Sequence, residues 1–275
     1  KNFFLCYSPE RIDPGEDKFN KKTKYVNITK LISGHSKKCL EKVRFLYKSV
    51  FKKIYECNSI EVAETAKLLE NIYRSVNIGL VNEMKIISHK LNLNIHQVID
   101  AAGSKPFGFR KFSPGPGVGG HCIPIDPAFM SWLAKKNNSE SKFINLSVQA
   151  NQRVTDWIIK HITQRLKKKN KIILLGLTYK KDVNDIRESP SLKIFKSLIL
   201  KKYNVQYHDP YIKNVKINNK FYNSVSVDDY SEFDSVLLLT DHSNFKYSKI
   251  LKEGKLIIDT RGRYRSSNSP KVIHL

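Results

Sequence analysis

The chain has 275 residues, enough for one large domain or a few small ones, and its 40% hydrophobic and 11% aromatic residues are typical of a folded protein. No apolar run reaches the ~18 residues of a membrane-spanning helix, and the first residues lack the layout of a secretory signal. The four cysteines are widely spaced and form no C-x-x-C pair, which argues against a zinc site and a disulfide framework. We therefore expect a cytoplasmic protein that binds neither a metal nor a membrane.

The net charge of +24 is typical of some nucleic-acid binders. The lysines, however, are distributed along the entire chain, and no helix-turn-helix, zinc finger or aromatic RNA-binding strand accompanies them. We therefore expect no nucleic-acid partner. The same positive charge favours a small polyanionic ligand.

The first segment has the pattern of α/β structure. Short apolar or β-branched runs predict strands over 3–7, 25–32 and 53–57, and an amphipathic pattern predicts a helix over 36–51. A long helix of about 30 residues follows, spanning ~45 Å, so we expect it to act also as a strut between domains or subunits. Its apolar stripe consists of Val62, Ala66, Leu69, Tyr73, Val76, Leu80, Met84, Ile87 and Leu91.

The long helix is followed by shorter elements. We predict a helix over 94–102 that ends at Gly103, a loop over 104–127, and a further helix that opens at Pro127. A helical pattern over 142–166 completes this part of the chain.

A second α/β unit occupies the C-terminal part. Alternation of continuous apolar strands with a helix predicts a doubly wound parallel sheet. The predicted strands are 172–175, 205–208, 235–240 and 255–259, and the predicted helix is 190–200. The polar residues 266–275 are expected to fray.

The stretch GVGGHCIPIDP, residues 117–127, carries the strongest chemical signal. It places Cys122 just behind a flexible glycine run and four residues before Asp126. A thiol at such a point is placed to attack a carbonyl carbon, and the carboxylate is placed to orient water or accept its proton. A lone cysteine is more often a buried structural residue, but the neighbours of this one favour chemistry.

Residues 115–120 match the dinucleotide-binding pattern G-x-G-x-x-G. That pattern has meaning only between a strand and a helix of a βαβ unit. No apolar run precedes it to form the strand, and Pro124 and Pro127 interrupt the helix that should follow. We therefore reject residues 115–120 as an NAD-binding turn.

Lys67 and Asn71 lie four residues apart on the long helix and share one face. Taken alone they are a solvated surface pair. Placed near Cys122, the ammonium would stabilise a thiolate and the negative charge on an attacked carbonyl oxygen. Glu10 follows the first predicted strand and is either a functional carboxylate or the ion-pair partner of Arg11.

Basic clusters lie at the strand ends of the predicted C-terminal sheet. Residues 176–182 and 259–263 each follow a strand, and residues 185–190 open a helix. Lysines and arginines gathered at strand ends and at a helix N-terminus predict a phosphate site.

These motifs together resemble one family. The segments SPERIDPG, EVAETAKLLENIYRSVNIGLVNE, KPFGF, PGPGVGGHCIPIDP, GLTYKKDVNDIRESPS and IDTRGRY occur in the order found in the nucleotide-diphosphate-sugar 6-dehydrogenases, typified by UDP-glucose dehydrogenase. The resemblance spans nearly the whole chain and is greatest to the branch that oxidises UDP-N-acetylhexosamines. It implies a partial N-terminal Rossmann-like remnant over 1–56, a central long-helix domain over 57–150, and a Rossmann-like UDP-sugar-binding domain over 151–275.

The resemblance implies an NAD-dependent, four-electron oxidation of a sugar C6 alcohol to the acid, with UDP-N-acetylglucosamine as the expected substrate and surface polysaccharide as the expected destination. Cys122 would form a thiohemiacetal with the aldehyde, and water would hydrolyse the thioester that follows. Lys67 and Asn71 would stabilise the C6 oxygen and hold the water. Asp126 would assist proton transfer, and Glu10 would help in hydrolysis.

The resemblance also implies contacts and an assembly. The NAD phosphates would contact Arg187, and a homodimer or higher homo-oligomer would form on the long helix. The UDP-sugar would contact Phe107, Gly108, Gly117, Gly119, Gly120, Lys180 and Arg261.

The chain departs from the family pattern in two places. Pro14 stands where UDP-glucose enzymes carry a second glutamate, as in the N-acetylhexosamine branch, so the hydrolytic base stays open. Most of the NAD-binding domain is missing, and we expect this chain alone to be inactive. The alternatives are a UDP-N-acetylmannosamine or UDP-glucose 6-dehydrogenase and a non-catalytic UDP-sugar-binding fragment.

Overall fold

The structure, a computed structural model, describes residues 3–12 and 25–275, and the chain folds as two units, Lys1–Tyr73 and Arg74–Leu275. The boundary between the units falls inside the longest helix. Pro14 lies outside the described residues. The domain limits predicted from the sequence remain predictions.

The first unit is built on a three-stranded sheet. Its elements are β1 (Cys6–Tyr7), β2 (Lys30–Gly34), α1 (Lys37–Lys48), β3 (Ile54–Glu56) and the N-terminal part of α2 (Ile60–Lys90). β2 lies between antiparallel β1 and parallel β3. The strand predicted over 25–32 begins only at Lys30, and residues 25–27 form a 3-10 turn. The reason is that β3 provides partners only for Lys30, Leu31 and Ile32.

Helix α2 confirms the predicted long helix, with 31 residues. Most of the predicted apolar stripe is nevertheless exposed, namely Val62, Leu69, Tyr73, Leu80, Met84, Ile87 and Leu91. The buried side chains of α2 include five polar ones, namely Asn71, Ser75, Asn82, Lys85 and Ser88. The sequence thus predicted the helix and its apolar face, but it did not show that this face is exposed in the folded chain.

Three helices follow, α3 (Ile95–Ala102), α4 (Cys122–Lys136) and α5 (Lys142–Arg165). Asn94 caps α3 by accepting the backbone N–H of His96. The prediction that the next helix opens at Pro127 is wrong, because α4 begins at Cys122 and contains that proline. Pro124 costs no helical hydrogen bond, since the first four N–H groups of a helix have no partner inside it.

The second unit contains a five-stranded parallel sheet of order β10-β9-β8-β4-β5. From Lys171 onward the elements of this unit are β4 (Lys171–Leu175), α6 (Pro190–Leu200), β5 (Asn204–His208), β6 (Asn214–Ile217), β7 (Lys220–Asn223), β8 (Ser235–Leu238), α7 (Tyr247–Glu253), β9 (Ile257–Asp259) and β10 (Val272–His274). The chain runs from β4 to β5 and then returns past β4 to β8. The topological switch point, where such sheets bind ligands, therefore lies between β4 and β8.

Alternate residues of β4 face two apolar clusters. Ile172 and Leu174 pack with residues of α5 and α6, including Ile158 and Phe195, on one face of the sheet. Residues of α7 and the 3-10 turn at 230–232 cover the other face. The predicted doubly wound sheet is confirmed.

Three features of the second unit differ from the sequence predictions. The antiparallel hairpin β6–β7 and helix α7 were not predicted. The expectation of a frayed end is wrong, because β10 pairs with β9 and the N–H of the buried Leu275 donates to the carbonyl of Asp259. Within the described part of the chain, no helix combines the length and the apolar character needed to cross a membrane.

Candidate active site

The glycine loop, residues 115–120, is docked in the second unit against the turn that precedes α6. A Cβ at Gly119 would lie 2.5 Å from the Tyr179 Cβ and 2.8 Å from the Glu188 carbonyl oxygen, closer than side chains pack. Gly120 has φ +88°, a conformation that favours glycine, and its N–H donates to the Arg187 carbonyl at 2.8 Å. Close docking thus explains the glycine run.

A buried polar network supports the start of this loop. The Asn82 amide oxygen accepts the Gly115 N–H, and its NH2 group donates to Asn151 on α5, both at 3.0 Å. The Thr155 hydroxyl, also on α5, donates to the Pro116 carbonyl at 2.6 Å. Sequence reasoning missed these residues, although polar positions on a buried helix face were a signal that could have identified them.

Cys122 is exposed and is the first residue of α4. Asp126 lies four residues later on the same helix face, and it is half-buried. The N-terminus of a helix carries partial positive charge, which stabilises an anion there. The helix start, rather than the free loop expected from the sequence, therefore positions both residues.

Arg187 lies beside this helix start. Its guanidinium forms a bidentate pair with Asp185, with Nη2 2.7 Å and Nε 3.1 Å from carboxylate oxygens. The hydrogen bonds to Asp185 raise the pKa of Arg187, with smaller contributions from the charges of Tyr179 and Cys122. The side chain is 63% exposed, so it can reach a ligand.

The carboxyl ends of β4 and β8 are joined by Arg261. Its Nε donates to the Leu239 carbonyl at 2.7 Å, and its Nη2 lies 3.5 Å from the Tyr179 carbonyl oxygen. A Cβ at Gly115 would lie 2.7 Å from its Nη1, so the guanidinium also lies against the glycine loop. Burial lowers the pKa of Arg261. The structure therefore brings Arg261 and the glycine loop together at the predicted crevice.

The remaining predicted contacts of the second unit have different surroundings. Lys180, after β4, is half-buried, and its carbonyl accepts the Thr178 hydroxyl at 2.9 Å. Phe107 is 68% exposed and lies under the Lys105 ammonium at 4.6 Å. Gly108 has φ +75° in the same loop. Their ligand contacts stay predictions.

Lys85, on α2, is a buried lysine that sequence reasoning missed. Its Nζ lies 2.9 Å from the Thr260 carbonyl oxygen and 3.2 Å from the Gly115 carbonyl oxygen. Burial lowers the pKa of Lys85 to about 7, and the charge of Arg261 lowers it further while that of Asp259 opposes the shift.

A buried pair, Asp209 and His242, lies at the strand ends of the same sheet. The His242 Nδ1 accepts the Asp182 N–H at 3.0 Å, which assigns the ring proton to Nε2. Nε2 lies 3.2 Å from an Asp209 oxygen, which also accepts the Leu177 N–H at 2.6 Å. This pair holds the loop after β4, which carries Lys180.

The first unit contains the other three predicted catalytic residues. One Glu10 oxygen accepts the N–H groups of Arg11 and Ile12, and the other lies 3.6 Å from the Lys30 ammonium. Burial works against ionisation, but these N–H groups and Lys30 outweigh it and lower the pKa of Glu10. Glu10 is therefore ionised at neutral pH and is a weak base.

Glu70 organises the rest of this region. One of its oxygens lies 2.6 Å from the Arg11 guanidinium, so the alternative that Arg11 pairs with Glu10 is wrong. Its other oxygen lies 4.0 Å from the Lys67 ammonium. Asn71, one turn beyond Lys67, is buried. Sequence reasoning did not single out Glu70.

Residues 115–120, rejected above as an NAD-binding turn, lie between a loop and a helix. A helix, α4, does follow residues 115–120, so the argument from Pro124 and Pro127 is wrong. The argument from the missing strand holds, because residues 103–121 contain none. Among the described residues, no group of three or more His, Cys, Asp or Glu side chains has the arrangement of a metal site.

Comparison with known proteins gives family matches over both main parts of the chain. The central domain of the UDP-glucose/GDP-mannose dehydrogenase family matches residues 61–153, and the UDP-binding domain of that family matches residues 173–266.

Individual relatives agree with these matches. The chain is 36% identical to a UDP-N-acetyl-D-mannosamine dehydrogenase of Methanococcus vannielii, over 95% of this chain and 61% of the relative. It is 31% identical to a UDP-N-acetyl-D-glucosamine 6-dehydrogenase of Salmonella typhi, over 90% and 58%. The solved structure of a UDP-D-ManNAc dehydrogenase from Pyrococcus horikoshii matches with a TM-score of 0.80 at 27% identity, over 99% of this chain and 64% of that one. The chain thus spans about three fifths of the length of the curated relatives it matches.

Proposed function

Because the chain belongs to the UDP-glucose/GDP-mannose dehydrogenase family and contains its central and UDP-binding domains, we propose that it is part of a UDP-N-acetylhexosamine 6-dehydrogenase. The observation that carries the proposal is the position of Cys122, exposed at the start of α4. The adjoining glycine loop is docked against the turn at Arg187 and lies against Arg261 at the switch point of the sheet. A thiol and a phosphate-binding crevice are thereby held in one unit.

The chain's own side chains account for the proposed chemistry at the sugar C6. The Cys122 thiolate adds to the aldehyde carbon and forms a C–S bond, and the carbonyl oxygen takes up the charge as an alkoxide. After oxidation to the thioester, water attacks the same carbon and the thiolate leaves. Asp126 assists proton transfer at the start of α4. For Lys67, Asn71 and Glu10 we propose the roles that the family resemblance implies, namely stabilisation of the oxygen and orientation of the water.

The cofactor of the proposed reaction is NAD, which supplies the oxidising equivalents for both two-electron steps when bound. The exposed Arg187 guanidinium fits a phosphate contact of that cofactor. Within the described residues no G-x-G-x-x-G turn follows a strand, so the site is not complete in this part. That this chain alone is inactive stays a prediction.

The first prediction is the stoichiometry of the reaction. A chain that includes a complete NAD-binding domain should form two NADH per UDP-N-acetylglucosamine consumed, because alcohol to acid is a four-electron oxidation. NADH absorbance and mass spectrometry of the sugar product give the ratio. One NADH per sugar would reject the four-electron reaction. Binding of UDP-sugar without any NADH would support the non-catalytic alternative.

Turnover measured in parallel with three UDP-sugars would identify the substrate. We propose UDP-N-acetylglucosamine as the substrate, and UDP-N-acetylmannosamine is the second candidate, favoured by the relative from Methanococcus vannielii. UDP-glucose is the third arm. The acid would serve surface polysaccharide synthesis, and the four free cysteines suit a cytoplasmic enzyme.

We also propose that a second copy of the chain covers the exposed stripe of α2. Leu80, Met84, Ile87 and Leu91 of the second unit lie at spacings of three and four and are all exposed. Burying a side chain of this size contributes ~1.5–3 kcal/mol, so a continuous row favours association. The stripe is self-complementary in an isologous dimer, in which both copies use the same surface.

A charged substitution in the stripe tests this dimer. Leu80→Glu should halve the molar mass measured by light scattering, because two carboxylates would be buried in the interface. Leu200→Glu is the matched control, since the two leucines are 59% and 57% exposed. An unchanged mass for Leu80→Glu, or a monomeric wild type at high concentration, would reject the α2 interface.

A further inference from the structure

Lys85 and Asn82 hold both backbone polar groups of one residue of the glycine loop, Gly115. They lie three residues apart on α2 and therefore share a face. The Asn82 oxygen accepts the Gly115 N–H at 3.0 Å, and the Lys85 Nζ donates to the Gly115 carbonyl at 3.2 Å. Both polar groups of Gly115 are thus satisfied from one helix face, and the rotation of this residue is restricted.

The same Lys85 Nζ also contacts the strand end that carries Arg261. Its other contact, at 2.9 Å, is the carbonyl of Thr260, the residue directly before Arg261. Lys85 and Thr260 are 175 positions apart in the sequence, so the contact joins distant parts of the second unit. The Arg261 guanidinium also lies against Gly115, with its Nη1 2.7 Å from the position of a Cβ at that residue.

Burying the Lys85 amine costs free energy, so its presence at a buried position calls for an explanation. Lys85 is only 3% exposed, and lysine is among the residues least often buried. Its Nζ donates hydrogen bonds to two backbone carbonyls, and no carboxylate forms an ion pair with it among the described residues. An uncharged leucine or methionine would pack there at lower cost, but it would leave both carbonyls without a donor.

We propose that Lys85 is a positioning residue that clamps the loop leading to Cys122 onto the strand end that carries Arg261. The proposal rests on the proposed function, since it assigns these two parts to one ligand. Through this clamp the diphosphate contact at Arg261 and the thiol at the start of α4 keep a fixed separation. The lowered pKa of Lys85 supports the assignment, because a neutral amine retains two N–H donors for the two carbonyls.

The test compares Lys85→Met with Lys85→Gln in the 275-residue chain. Methionine removes the donor, whereas the glutamine amide keeps two N–H donors, and both side chains are one atom shorter than lysine. Without these two hydrogen bonds the strand end that carries Arg261 is no longer held to the glycine loop, so Lys85→Met should weaken UDP binding about tenfold by calorimetry. Lys85→Gln should bind UDP within about threefold of the wild type, since its amide retains the donors.

A second readout follows the loop itself. The rate of Cys122 alkylation by iodoacetamide, measured by peptide mass spectrometry, should rise severalfold in Lys85→Met and return towards the wild-type rate in Lys85→Gln. Lys90→Met is the matched control, since Lys90 is an exposed lysine of the same helix, and it should change neither readout. A purely structural role would lower the melting temperature and leave UDP affinity and alkylation of the folded protein unchanged.

The outcomes separate the two proposals. A wild-type chain that binds UDP, with unchanged affinity and alkylation in Lys85→Met, would overturn the clamp and leave the proposed function standing. Failure of the wild type to bind UDP would reject the proposed function, and the alkylation rates would still test the hold of Lys85 on the loop. If Lys85→Met does not fold, Lys85→Gln with lost UDP affinity would count against the clamp, because its donors are retained.

Discussion

Cys122→Ser should abolish formation of the sugar acid, by at least ~1,000-fold, while UDP binding stays within about twofold of the wild type. A serine hydroxyl is not ionised at neutral pH and cannot replace the thiolate as nucleophile. The side chain is exposed at the first residue of α4, so the loss of one sulfur atom leaves the surrounding contacts in place. The measurement is acid formed per minute, by mass spectrometry, in a chain with a complete NAD-binding domain.

The control is Cys6→Ser, which replaces a half-buried cysteine of the first unit and should retain acid formation. Iodoacetamide provides an independent test in the 275-residue chain. Cys122 should be alkylated ahead of the buried Cys39 and Cys57, and UDP-sugar should slow its alkylation. Acid formation by Cys122→Ser at the wild-type rate would show that the covalent mechanism is wrong.

The sequence revealed the residues whose evidence is local. Cys122 and its glycine run lie within a few positions of each other, and Arg261 lies two residues after the end of a strand. Periodicity also located α2 and the strands of the sheet, because their patterns repeat over adjacent residues. Gly119 must be small because it docks against Glu188. Glu188 is 69 positions away in the sequence, so no local pattern could predict this contact.

What the sequence could not indicate depends on distant partners. Nothing in the local sequence distinguishes Lys85 from the many other lysines, and only the fold brings it to the carbonyl of Thr260. Periodicity identified an apolar stripe on α2, yet it cannot say whether the chain itself or another copy covers it. The start of α4 was misplaced because a proline is permitted in the first turn of a helix as well as before it.

Asp209→Asn should destabilise the second unit by ~2–6 kcal/mol, because two buried N–H groups lose their acceptor and each unsatisfied group costs ~1–3 kcal/mol. The carboxylate accepts four backbone N–H groups from two loops, those of Leu177, Thr178, Tyr211 and Ile212. In asparagine an NH2 group replaces one oxygen, so it must face either the first two donors or the last two. The melting temperature should fall on the order of 10 °C for a unit of this size.

The loss of stability in Asp209→Asn should depend on pH, because the pKa of Asp209 is shifted in the folded protein. Burial alone would raise the pKa of Asp209, but the hydrogen bond from His242 and the N–H groups of Leu177 and Tyr211 lower it. A carboxyl with a lowered folded pKa contributes stability above its unfolded pKa of ~3.9, and this contribution is lost as the pH falls through the folded pKa. The gap between wild type and Asp209→Asn should therefore be full at neutral pH and narrow below about pH 4.

The same substitution links stability to the site. Asp209 holds the first residues of the loop after β4, and that loop carries Lys180, so UDP affinity should fall together with the melting temperature. Asp228→Asn is the matched control, because Asp228 is exposed, and it should change stability by less than ~0.5 kcal/mol. Equal melting temperatures for the two variants at neutral pH would mean that the Asp209–His242 pair does not hold this loop. A lowered melting temperature with unchanged UDP affinity would instead place Lys180 outside the binding crevice.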